Sequence, residues 1–133
     1  MDEIPWERLF EVAHAARTRA HAPYSHFPVG AAALFADGSI MPGCNVENSS
    51  YGLTLCAERN ALCRAVTDGA QGLRAVAIVA DTPRPCPPCG MCRQVMAEFA
   101  GPDLPVRSRT LAGEEDRYSL GELLPHAFTR TFL

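Results

Sequence analysis

The sequence predicts an α/β sandwich built on a mixed sheet, and three observations carry that prediction. Apolar residues recur at helical spacing and then in strand-length runs, in the order helix, strand, strand, helix, strand, helix, strand. Two of those runs, "FPVGAAALF" (27–35) and "RAVAIVA" (74–80), are apolar on both faces, as in strands covered on both sides. Between the first run and its successor lies "ADGS" (36–39), where Asp37-Gly38 signals a tight hairpin.

Each element has its own local reason. Residues 3–20 read as a helix, with Pro5 in the first turn and an apolar stripe of Leu9, Phe10, Val12, Ala13 and Ala16. "HAPYSHFPVG" (21–30) breaks that period and leads into the first strand, with Phe27 at its start as a core residue. A second strand is expected over 39–47, ending in "CNVE". "NSSYGLTLC" (48–56) is a loop entering a helix that runs to about Thr67, with Gly69 as its stop. After the strand at 74–80, the Pro-rich "DTPRPCPP" leads to a third helix from Cys89 to Gly101. Strands are expected at 104–109 and 116–120, and a closing helix at 120–128. Both cysteine-bearing helices open straight after a loop, so their first amides face whatever binds there.

The bulk numbers narrow the function. A chain of 133 residues, 47% hydrophobic and 20% charged, suits one globular domain spanning 1–133. Twelve basic against fifteen acidic residues leave a net charge of −3, and no run of Lys or Arg forms a stripe. That argues against a protein that holds a nucleic-acid backbone and favours a small polar ligand. "MDEIPWERLF" is acidic and lacks an apolar signal core, and no apolar run nears the ~18 residues of a membrane span. A cytosolic location follows as the expectation. The six cysteines are then reduced thiols or metal ligands.

"PCPPCGMC" (85–92) concentrates three of them at equal spacing. Gly90 lets Cys89 and Cys92 converge at a helix start, as a metal knuckle needs. Pro87 and Pro88 force their predecessors into extended backbone, which carries Cys86 away and leaves it a bystander. Two thiolates do not complete a zinc site. Cys44, Cys56, Cys63 and the four histidines are candidates for a third ligand. Cys56 is attractive at a helix start, where a thiol is acidified, and Glu58 follows two residues on. Cys63, one heptad later, and Cys44, on a strand, read as small core residues. Three protein ligands with an open fourth position make a catalytic rather than a structural zinc site. A carboxylate beside such a site, off the metal, can move protons. Taken singly, Cys-x-x-Cys also fits a redox dithiol or half of a structural zinc ribbon, and Glu58 fits a solvated helix carboxylate.

The pairing of "CAE" at 56–58 with "PCGMC" at 88–92, whose first cysteine lies 33 residues after Cys56 (89 − 56 = 33), resembles the zinc nucleoside and nucleobase deaminases. A cysteine in place of histidine as first ligand makes it similar to their three-thiolate branch, the small homotetrameric cytidine deaminases. "YSHFPVGAAAL", "GCNVENSSYGLTLCAERNAL", "PCGMCRQVMAEF" and "SLGELLPHAF" all resemble that family's blocks. The resemblance implies a three-layer α-β-α sandwich with a mixed five-stranded sheet. It implies Zn²⁺ held by Cys56, Cys89 and Cys92, with Glu58 moving protons and Arg59 donating to ligand sulfurs. Cytidine and 2′-deoxycytidine would be hydrolysed to uridine and 2′-deoxyuridine with release of ammonia, a pyrimidine salvage reaction. Asn45 and Glu47, two apart on a strand and so on one face, would bind the ribose, Glu47 at the 3′-hydroxyl. Phe27 and Ala57 would line the nucleoside pocket. Ser49, Tyr51 and Phe128 would belong to pockets shared between subunits of a homotetramer. A structural-zinc or RNA-binding module, a dithiol oxidoreductase, and a deaminase for another cytosine nucleoside such as blasticidin S are the rival readings.

Overall fold

The computed structural model describes residues 3–133. Five strands form one sheet in the order β2-β1-β3-β4-β5: β1 (Val29–Phe35), β2 (Ile40–Cys44), β3 (Leu73–Ala80), β4 (Pro105–Thr110) and β5 (Glu115–Ser119). β3 and β4 run parallel and every other neighbouring pair is antiparallel, so the sheet is mixed as expected. β1 is buried along its whole length, and β3 at every residue but Arg74, as their unbroken apolar runs require.

The strand alternation divides two cores and makes three layers. Ala32, Leu34, Ala75, Ala77 and Val79 pack beneath α1 (Trp6–Arg17), on Leu9, Phe10 and Ala13. The alternate residues Ala31, Ala33, Phe35, Val76, Ile78 and Ala80 face the opposite way, into a core shared with two further helices. These are α2 (Ala57–Thr67), through Ala61, Leu62 and Ala65, and α3 (Gly90–Phe99), through Cys92 and Met96. α1 is also gripped from β4, where the guanidinium groups of Arg107 and Arg109 lie 4.1 Å and 3.9 Å from the ring centres of Trp6 and Phe10.

Four local expectations are corrected. The first helix is shorter than 3–20: Pro5 is its N-cap, not a first-turn residue, and Thr18 closes it with its hydroxyl on the Ala15 carbonyl. Phe27 is not a core residue at a strand start. β1 begins at Val29, Phe27 is 38% exposed, and Pro28 between them has no N–H for the ladder. Cys63 is exposed, not a small core residue. The heptad count from Cys56 misleads because Cys56 is the extended N-cap, outside the helix, and the buried face of α2 runs through 57, 58, 61, 62 and 65. The closing helix is only α4 (Leu120–Leu123), opened by a Ser119/Glu122 capping box. Pro125 keeps Leu124 out of helical geometry and ends it. The remaining tail carries one short turn, Arg130–Phe132.

Candidate active site

α2 and α3 both start with a cysteine. Cys56 and Cys89 are their N-caps, each in extended backbone, and Cys92 is the third residue of α3. The thiol sulfurs of Cys56, Cys89 and Cys92 converge to within 4.8 Å of one another, with 3.4 Å between Cys56 and Cys89 and 3.5 Å between Cys89 and Cys92. The positive ends of two helices therefore meet at one thiol cluster. Cys86 is outside the group: its Sγ lies 3.6 Å from the carbonyl of Pro87, and Ser108 Oγ donates to the Cys86 carbonyl at 2.7 Å.

The thiols differ in acidity. Hydrogen bonding from Cys92, then from Arg59 and Cys89, pulls the Cys56 thiol down to about 5 against the opposition of burial. Cys92 pays the converse, held protonated by its bond to the Cys56 thiolate and by burial. Arg59 sits on this centre, with Nη2 3.5 Å from Cys56 Sγ and 3.3 Å from the Thr54 carbonyl, and Nη1 3.9 Å from Met91 Sδ. Burial raises the Cys86 thiol, in keeping with a neutral, unligated group.

Glu58 is the second residue of α2 and only 4% exposed. Burial, with the Cys56 thiolate beside it, pushes its carboxyl up to about 7, and its own backbone amide, Cys92 and Arg59 oppose this only in part. A buried carboxyl poised near neutrality can both take and give a proton. Ala57, between it and Cys56, is fully buried.

Alongside runs a second group of predicted residues. β2 stops at Cys44, yet its chain continues beside the metal-side loop. Val46 and Leu55 exchange N–H···O bonds of 2.9 Å each, which places "NVE" against the residue preceding Cys56. Asn45 is buried and committed to the main chain, its Oδ1 accepting from Val29 N and its Nδ2 donating to the Phe27 carbonyl, both at 2.8 Å. Glu47 accepts from the amides of Tyr24 (3.0 Å) and Ser25 (3.1 Å) and from the Ser25 hydroxyl. The Ser25 hydroxyl, opposed by slight desolvation and helped by those amides, holds the Glu47 carboxyl below the usual range. Phe27, Asn45 and Glu47 are thus brought together by one loop.

Ser49, Tyr51 and Phe128 are not drawn into the thiol cluster within the chain. Ser49 is exposed, Tyr51 is 75% exposed with its ring edge-on to Tyr24, and Phe128 is 59% exposed and stacks on Phe132.

Sequence reasoning missed several residues that hold the site. Asn60 Nδ2 donates to the Cys44 carbonyl at 2.8 Å, tying α2 to the end of β2. Arg93, readable as a surface helix residue, spans two carbonyls at 2.8 Å each, Pro88 before Cys89 and Leu123 at the end of α4. Gln94 reaches the Phe128 carbonyl at 2.8 Å. For Arg93 and Gln94 the position directly after Cys92 was the available signal.

Three converging soft thiol donors at helix starts, Cys56 among them acidified, with a buried carboxyl off the donor set, fit a zinc ion with one position left open. That combination defines a zinc-dependent deaminase. The comparisons agree. Residues 5–107 match the family model for the cytidine and deoxycytidylate deaminase zinc-binding region. The cytidine deaminase of Halalkalibacterium halodurans is 52% identical over 123 residues, 92% of this chain and 93% of that protein. That of Sporosarcina psychrophila is 49% identical over 124 residues, 93% of this chain and 91% of that protein. The crystal structure of cytidine deaminase from Burkholderia pseudomallei superposes with a TM-score of 0.90 at 48% identity, over 94% of this chain and all of that one. The chain belongs to this family and, within it, to the cytidine deaminases.

Proposed function

We propose that the chain hydrolyses cytidine and 2′-deoxycytidine to uridine and 2′-deoxyuridine, releasing ammonia, as a step of pyrimidine salvage. The observation that carries this reading is Glu58, a buried carboxyl poised near neutrality beside three converging thiols. Zinc held by Cys56, Cys89 and Cys92 supplies Lewis acidity that readies a water as nucleophile near neutral pH. Glu58 accepts a proton from the attacking water and delivers it to the ring N3. The water oxygen bonds to C4. Glu58 then moves the second proton to the C4 amino group, the C4–N bond breaks, and ammonia leaves. Arg59 offsets the charge of three thiolates on a divalent ion, net −1 (2 − 3), by its contact with Cys56 Sγ. Ala57 and Phe27 line the base and Glu47 accepts the ribose 3′-hydroxyl. Asn45 binds the ribose with the second N–H of its amide, the first being engaged on the Phe27 carbonyl.

The assembly we propose is a homotetramer of single-domain chains in the cytosol, with Ser49, Tyr51 and Phe128 completing neighbouring pockets. Exposed Tyr24, Tyr51, Leu53, Leu55 and Met91 support it, because they border the thiol-bearing segments and leave apolar surface that a second copy would cover. Among the described residues no helix is long and apolar enough to cross a membrane.

The test is incubation of purified protein with cytidine, following loss of cytidine absorbance and release of ammonia, with zinc measured per chain. About one zinc and steady turnover are expected; zinc without turnover sinks the reading. Cys86→Ser should keep its zinc and stay within about three-fold of wild-type activity, because the change is nearly isosteric at a half-buried position outside the thiol cluster. Loss of zinc in that variant would place Cys86 in the ligand set.

A further inference from the structure

The loop that gathers Phe27, Asn45 and Glu47 turns on one small side chain. Ser25 Oγ donates to Glu47 Oε2 and accepts from Phe27 N at 3.0 Å. A serine hydroxyl has a single proton to give, so both ends of this bridge have a fixed direction. His26, between them, holds left-handed backbone (φ 56°), with its amide on the Ala22 carbonyl at 3.0 Å. A histidine there is strained relative to ordinary backbone and needs its surroundings to hold it. The bonds of Ser25 on one side and of Asn45 on the other do so: the Phe27 residue is gripped at its N–H by Ser25 and at its carbonyl by Asn45.

The same hydroxyl sets what Glu47 can still accept. An ionised carboxylate has about four lone-pair sites. The Tyr24 and Ser25 amides take the two on Oε1, and the Ser25 hydroxyl takes one on Oε2. One site remains, on Oε2, with its direction fixed.

We propose that Ser25 is a positioning residue for nucleoside recognition: its hydroxyl locks Glu47 to the Phe27 backbone and leaves one aimed acceptor for a single sugar hydroxyl. The inference rests on the reading of Glu47 as the 3′-hydroxyl acceptor. Without Ser25 the carboxylate rotates between hydroxyl-accepting and solvent-facing orientations, and the wall carried by Phe27 loosens with it.

The test compares cytidine with 3′-deoxycytidine on wild type, Ser25→Ala, Ser25→Thr and Glu47→Gln, with zinc content and Tm measured for each. For Ser25→Ala, KM for cytidine should rise about ten-fold, the loss of roughly one aimed hydrogen bond to a charged group, with kcat little changed. On 3′-deoxycytidine, which has no hydroxyl for Glu47 to read, Ser25→Ala should differ from wild type by less than about two-fold. Ser25→Thr keeps the hydroxyl at an exposed position and should restore the preference for cytidine. Equal losses on both substrates would show a loop-folding role only and overturn the proposal, as would an unchanged KM for cytidine. If Ser25→Ala does not fold, a Ser25→Thr enzyme without the wild-type preference overturns it. If wild type itself treats the two substrates alike and Glu47→Gln changes nothing, the reading of Glu47 fails and the role of Ser25 falls with it, a pattern distinct from the others.

Discussion

Glu58→Gln should keep zinc and lose the reaction. The substitution preserves the shape of a side chain that is only 4% exposed, and all three thiols remain in place. What disappears is the capacity to carry a proton. A general acid–base group contributes about 10²–10⁴-fold when it serves one transfer. Here one carboxyl serves the water, the ring N3 and the leaving amino group in turn, so kcat should fall by at least about 10⁴-fold. The amide has no charge to bury, so the Tm should not drop, and a small rise would match a site that sacrifices stability for function. Turnover from the absorbance assay, zinc by metal analysis and a thermal melt decide the matter together. Activity near wild type would remove Glu58 from the mechanism. Loss of zinc would show that it supports the thiol cluster instead.

The parts of this molecule that could be read from sequence are those set by local periodicity or by a motif. β1 and β3 announce themselves as continuous apolar runs because both of their faces are covered, and the structure buries them accordingly. Cys89 and Cys92 declare themselves by spacing, and Pro87-Pro88 correctly separates Cys86 from them. Cys56 is different in kind. It lies 33 residues away (89 − 56 = 33), and only the motif, not any local rule, joins it to the pair.

The misreadings are equally physical. Phe27 looked like core because it continues the apolar run of β1, but Pro28 interrupts the hydrogen-bond ladder and turns it outward. Cys63 looked buried because the count began at a residue outside the helix. Ser25 and Asn60 could not be found at all from local pattern. Ser25 meets its carboxylate across 22 residues of chain and Asn60 meets its carbonyl across 16, and neither partnership leaves a trace in composition or period.

Gly43→Ala should damage the fold and the site together. Gly43 lies in β2 where α2 crosses, paired with Ala31 of β1. A Cβ there would fall 2.2 Å from the Ala57 carbonyl oxygen and 2.5 Å from Ala61 N. Both obstacles are helix backbone, so no side chain can turn aside, and α2 itself has to lift. Overpacking of this kind costs about 1–3 kcal/mol or more. In a chain of 133 residues that corresponds to a Tm lower by roughly 4–11 °C. The lift also acts at the start of α2, where Cys56, Glu58 and Arg59 flank the Ala57 peptide that must move. Zinc per folded chain and kcat should therefore fall with stability. Gly30→Ala is the control on the other layer. Its Cβ would lie 1.8 Å from the Ala13 carbonyl oxygen, so it displaces α1, which carries none of the thiols. The melting temperature should fall at least as far in Gly30→Ala, while the folded fraction keeps its zinc. Equal zinc retention in the two variants would show that the placement of α2 on β2 does not set the geometry of the thiol cluster.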